Sequence, residues 1–231
     1  MSDSPVAVEQ HGPELLHHFA DAEQQRNAAS LGMWIFLGTE IMFFGGMFCA
    51  YLIYRLAYYN EFAVASRTLS LPIGTINTAV LICSSLTVAL SVRAAQLGKQ
   101  KQIVVLLVLT LLFGLAFLGI KGYEWREKFV EHHVPGSSFS FDEPMPGHPE
   151  AKIDPRHAQI FFSLYFAMTG MHALHMIIGV GIFGVLIFMA WRGRFTPEYH
   201  TPVEIGGLYW HFVDIVWIYL FPLLYLIDRH K

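Results

Sequence analysis

The sequence predicts an all-α integral membrane bundle of five transmembrane helices, and two observations carry that prediction. The first is composition. Of the 231 residues, 54% are hydrophobic without counting glycine and only 14% are charged, whereas soluble domains are about 45–50% apolar with glycine included and about 25% charged. The second is where the charges fall. Residues 31–54 hold one, Glu40, and residues 206–227 hold one, Asp214, while 73–92, 103–120 and 160–191 hold none. A spanning helix takes about 20 mostly apolar residues, with a range of roughly 17–25. Residues 160–191 exceed that range, so this span tilts or projects beyond the bilayer with Trp191 near the interface. None of the runs alternates with period two, which argues against a transmembrane barrel.

Residues 1–30 read as a polar amino-terminal tail ahead of a membrane domain covering 31–231. The tail is acidic and lacks the short apolar core of a cleaved signal peptide; Leu15, Leu16 and Phe19 suit one face of an amphipathic helix. Of the connections, only 121–159 is long. Its Pro-, Gly- and Ser-rich stretch marks an extramembrane loop rather than a domain. Five spans put the termini on opposite sides of the membrane. The two short loops on the amino-terminal side carry Arg93, Lys99 and Lys101, then Arg192 and Arg194, while the long loop carries five basic but seven acidic residues. Basic density places the amino terminus in the cytoplasm and the carboxyl terminus outside. A net charge of −3 points to no nucleic-acid partner.

Ionisable groups at membrane depth are costly and mark function or helix contact. Here they are Glu40, His172 with His175, His211 and Asp214. For Glu40 three readings stand: a hydrogen bond between helices or to lipid, which is favoured, a proton relay, and a carboxylate ligand. His172 and His175 share one helix face. Counted from the expected span ends, His175 lies about 24 Å and His211 about 8 Å deep from the same side. Histidine ligands at such different depths do not form one site, so no metal or haem is expected in this chain. His211 and Asp214, three residues apart, suit a hydrogen-bonded pair within one helix.

Cys49 and Cys83 stand singly, without metal-ligand spacing, and read as packed structural cysteines. Gly38, Gly45 and Gly46 in the first span, and Gly170, Gly179, Gly181 and Gly184 in the fourth, read as close helix contacts. The ring-rich stretch LYWHFVDIVWIYLF suggests a surface packed against another protein or ordered lipid, in part an aromatic belt.

Five motifs now stand in order along the chain. GMWIFLGTEIMFFGGMFCAYL resembles the glutamate-bearing helix of subunit III of the haem-copper oxidases. LPIGTINTAVLICSS is similar to the next helix, with Asn77, Ser84 and Ser85 in place. KGYEW resembles the aromatic-acid end of the third through Tyr123 and Glu124. TGMHALHMIIG resembles the helix with two histidines, and YWHFVDIVWIYLF the carboxyl-terminal signature. The match runs from about Gly32 to Tyr225 and fits the family's shorter, five-span form.

The resemblance implies a non-catalytic subunit, with haem and copper held in partner subunits I and II. It implies that the chain packs on subunit I and binds phospholipid between its helix groups. It further implies support for proton uptake and for active-site stability during oxygen reduction, with electrons from cytochrome c. A bacterial cytoplasmic membrane is the implied location. Glu40 corresponds to the family's buried glutamate, and Arg192, Arg194 and His200 to basic groups facing a lipid headgroup. Alternatives within the family are a quinol oxidase subunit or a nitric oxide reductase accessory subunit. Outside it stand a small proton-coupled transporter, against which no inverted repeat is visible, and a membrane enzyme with its own haem.

Overall fold

In a computed structural model, residues 19–136, 139–145 and 148–227 are described. Among them lie six helices, five of them long and apolar enough to cross a membrane. The spans are α1 (Ala22–Ala57), α3 (Leu71–Gln96), α4 (Gln100–Val130), α5 (Pro155–Trp191) and α6 (Thr201–Tyr225), with the short α2 (Tyr59–Arg67) after α1. The five-span bundle is the predicted one.

The helix ends differ from the expected spans, and local chemistry gives the reason. α1 begins at Ala22, inside the expected polar tail, because Asp21 accepts from the Gln24 amide and Gln24 Oε1 accepts from the Ala20 amide, a reciprocal cap. Phe19 precedes this cap; Leu15 and Leu16 lie outside the described residues. α4 continues to Val130, well into the expected loop 121–159, since Lys121, Glu124 and Lys128 on its inner face find partners. α5 starts at Pro155, where Asp154 caps the amide of Arg156 at 2.9 Å. At 1.5 Å per residue, α1 and α5 are each roughly 55 Å long, so both exceed the ~30 Å hydrocarbon layer.

α3 and α5 end alike. Gly98 and Gly193 adopt φ of 67° and 70°, and amides beyond each helix return to its last turn (Gly98 to Ala95 and Lys99 to Ala94; Gly193 to Ala190 and Arg194 to Met189). This left-handed cap suits glycine, which lacks the Cβ that would be strained there. The two turns sit together: a Cβ on Gly98 would lie 3.0 Å from Pro197 Cγ, and Gln96 Nε2 donates to Glu204 Oε1 at 2.8 Å.

What remains of the long connection folds back on the bundle. β1 (Pro144–Met145) and β2 (His148–Lys152) pair antiparallel, with an irregularity within β1. Phe141 packs on Phe162 of α5, and Lys128 Nζ donates to the Thr68 carbonyl at 2.8 Å, tying α4 to the segment after α2.

α6 lies at the centre, touching α1, α3 and α5, while α3 packs on α4 and α4 on α5. Its rings correct the sequence reading. Of the six rings in LYWHFVDIVWIYLF, Tyr209, Trp210, Phe212 and Trp217 are buried within this chain, Phe221 is half-buried and Tyr219 faces outward, so most of that aromatic surface is the bundle's own core. Trp210 fills the gap between α4 and α5. A Cβ on Gly114 would lie 2.7 Å from its Cη2 and one on Gly179 2.8 Å from its Cζ3. Gly38, Gly45, Gly46, Gly181 and Gly184 instead meet nothing within 4 Å; their faces point away from the bundle interior. Cys49 and Cys83 are likewise exposed on the outside of the bundle, not packed inside it. Sequence does not set the rotation of a helix that is apolar on every side, so it does not tell these outward faces from inward ones.

Candidate functional site

The first contact across the bundle joins α1 to α5. Glu40 Oε2 lies 3.1 Å from His175 Nε2, and His175 Nδ1 lies 2.9 Å from the Met171 carbonyl. That carbonyl can only accept, so Nδ1 carries a proton. Nε2 then meets Glu40 in one of two ways: the carboxylic acid donates to a neutral ring, or a doubly protonated ring donates to the carboxylate. Either way, one proton is held between the two side chains. Tyr209 donates to the His175 carbonyl at 2.9 Å, fixing α6 to the same turn. The meeting follows from the early start of α1. Glu40 is about 27 Å from Ala22 by helical rise, and His175 about 24 Å from Trp191, so the two share a depth.

The other span histidines occupy separate environments. His172 is buried beside Phe117 and Trp217, and neither ring nitrogen has a hydrogen-bond partner. His211 is not bonded to Asp214 as the spacing suggested. Its Nδ1 lies 2.8 Å from Ser85 Oγ on α3, because a residue three positions along the helix leaves the ring free to reach a neighbouring helix. Asp214 is buried at 2% exposure, and neither carboxyl oxygen closes a hydrogen bond, although Ser85 stands beside it.

One cluster escaped the sequence reading. Lys121 Nζ donates to Glu124 Oε2 (3.1 Å), and lies 3.0 Å from Tyr165 Oη on α5 and 2.7 Å from Tyr225 Oη on α6. Both tyrosines donate to Glu124 Oε1. Lys121 and Glu124 are nearly solvent-free, and the two hydroxyls supply the further hydrogen bonds that a buried ion pair needs. The clue in the sequence is the KxxE spacing at the end of an apolar run: the KGYEW motif marks Glu124, whereas nothing local to Lys121 tells that its side chain turns inward.

The basic groups at the opposite end are dispersed. Arg192 and Arg194 are exposed, with the Arg192 guanidinium 4.3 Å from the Phe188 ring centre. His200 Nε2 lies 3.1 Å from Glu204 Oε1. Beyond the spans, His133 Nδ1 lies 3.1 Å from Glu131 Oε2 and its ring stacks on Phe162. Burial, with the Lys128 cation, holds the His133 imidazole below its ordinary pKa despite that carboxylate.

Comparison with known proteins converges on one family. The family profile "Cytochrome c oxidase subunit III" matches residues 16–145 and 156–228. The chain is 32% identical over 201 residues to a probable cytochrome c oxidase subunit 3 of Nocardia farcinica, covering 87% of this chain and 89% of that protein. It is 32% identical over 200 residues to quinol oxidase subunit 3 of Bacillus subtilis, covering 85% of each. With cytochrome c oxidase subunit 3 of Gallus gallus it shares 31% over 200 residues, 84% of this chain and 67% of that protein. Five apolar helices and a match running through all of them make this chain a membrane protein of the cytochrome c oxidase subunit III family.

Proposed function

We propose that the chain serves as the subunit without a redox centre in a terminal oxidase, with haem and copper held by subunits I and II. In this reading it packs on subunit I and supports proton uptake and active-site stability while oxygen is reduced with electrons from cytochrome c. The observation that carries it is the Glu40–His175 pair. It joins two spans and holds one proton at a fixed place, as a side chain that buttresses a proton-handling neighbour would. His172, His175 and His211 each serve a different contact, which suits a packing role more than a shared ligand set.

Phospholipid binding belongs to the same proposal. A groove of roughly 510 Å³ runs between α1 and α6, lined by Trp34, Ile41, Phe44, Ile215 and Tyr219 among others, and offers acyl chains an apolar wall. Arg192 and Arg194 would pair with headgroup phosphate by charge-assisted hydrogen bonds. A bacterial cytoplasmic membrane with the amino terminus inside fits Arg93, Lys99, Arg192 and Arg194 standing at or beside the adjoining turns that end α3 and α5. A second reading, a quinol oxidase subunit, is favoured by the equal identity to relatives of both kinds.

Mild purification of the tagged chain, with identification of what accompanies it, tests this. Subunits I and II of an oxidase are expected, and a copper-binding domain on subunit II selects cytochrome c over quinol. A chain that purifies without oxidase subunits would defeat the proposal.

A further inference from the structure

On the face formed by α3 and α6, a cleft of roughly 290 Å³ is lined by Ser85, His211 and Asp214 within a rim of Ile82, Leu86 and Ile218. Asp214 lies at its base, 2% exposed, with neither carboxyl oxygen hydrogen-bonded. Ser85 cannot satisfy it alone. Its hydroxyl has one proton and is already 2.8 Å from His211 Nδ1, whereas a carboxyl group offers two oxygens and several acceptor positions. A buried polar group left in this way is costly in a bilayer, where water does not replace the partner. The rim points outward: Ile82, Leu86 and Ile218 are 55%, 61% and 46% exposed.

We propose that this cleft is the docking face for an apolar transmembrane helix of a partner subunit, one that inserts a hydroxyl or carboxamide side chain against Asp214. The inference rests on the reading of the chain as an oxidase subunit. Three features select the occupant. The cleft lies in the middle of two spans, residues 81–89 of α3 and 211–218 of α6, out of reach of a lipid headgroup at either interface. Its rim is aliphatic, which suits helix against helix. Its base needs a group that both donates and accepts, so that Asp214 is satisfied whether or not it carries a proton; Ser, Thr, Asn and Gln do this and acyl chains do not.

The test uses the intact complex. A photoreactive benzophenone amino acid replaces Ile218 or Leu86, the membranes are irradiated, and the adducts are mapped by mass spectrometry. The expected adduct is to a transmembrane segment of another subunit, within one helical turn of a Ser, Thr, Asn or Gln. In that background Asp214→Asn is expected to hold the adduct yield within about two-fold, and Asp214→Leu to lower it at least ten-fold. Adducts to lipid only, to a second copy of this chain, or to a segment without such a side chain would overturn the proposal while leaving the oxidase reading intact. Purification with no oxidase subunit at all would overturn both.

Discussion

Glu40 and His175, separated by 135 positions in sequence, meet at 3.1 Å and hold the first span against the fourth. The contact is partly open, with side-chain exposures of 19% for Glu40 and 11% for His175. It therefore acts as a helix contact with access to a neighbour rather than as a sealed core pair. Hydrogen bonds between transmembrane helices contribute about 0.6 kcal/mol on average and at most about 1.7.

Glu40→Gln tests its role. The carboxamide donates to His175 Nε2 and keeps the contact, so initial oxygen consumption by the complex should stay within about two-fold. Glu40→Ala loses the bond, and retention of the subunit during purification should fall first. An assembled Glu40→Gln complex with intact haems and turnover reduced by roughly 10²-fold or more would instead mark Glu40 as an obligatory proton donor or acceptor.

The Lys121–Glu124 pair should behave asymmetrically. Lys121→Met leaves Glu124 buried with two tyrosine hydroxyls and no cation, at a cost of about 3–5 kcal/mol. The double change Lys121→Met with Glu124→Gln removes both charges and should recover most of that loss. Thermal unfolding in detergent, followed by near-ultraviolet circular dichroism, measures both. Equal destabilisation by the single and double variants would contradict the pairing.

Trp210 is held by Gly114 and Gly179 from two sides, and its Nε1 donates to Ser84 Oγ at 3.0 Å, so the ring cannot swing away freely. Gly179→Ala should cost about 1–3 kcal/mol by overpacking. Gly181→Ala, with nothing within 4 Å of the added carbon, serves as the control and should be close to neutral in the same unfolding assay.

His133 predicts a pH dependence for the extramembrane segment. Its folded pKa lies below the ordinary value, which is about 6.5. Below that value the open state binds the proton more readily, so folding of the segment weakens as pH falls and is unaffected well above it. Limited proteolysis of residues 131–154 should accelerate between about pH 7 and pH 5. His133→Phe, placed among Phe139, Phe141 and Phe162, should flatten that part of the profile.

Orientation is tested by labelling with a membrane-impermeant thiol reagent in a background lacking Cys49 and Cys83. Lys99→Cys should react only from the cytoplasmic side and Asp142→Cys only from the other. Ser138, in the same outer loop, lies outside the described residues. Exchanged sides would reverse the orientation and leave the five spans in place.

The sequence by itself determined the number and order of the spans, because a helix crossing a bilayer must be apolar for about 20 residues and Glu40 and Asp214 stand out as interruptions. Its ordered motifs also determined the family. It left the partners of the polar groups open. Residue spacing places His211 and Asp214 on one stretch of α6, but it does not say which neighbouring helix each side chain meets. The tertiary structure decided that His211 faces Ser85, that Glu40 faces His175, and that Asp214 turns to a cleft. It also drew Lys121 and Glu124 inside, where Tyr165 and Tyr225 arrive from two other helices. Helices apolar all round carry little periodic information about rotation, so their mutual orientation is fixed only when side chains such as Trp210 find room against glycine on a neighbour.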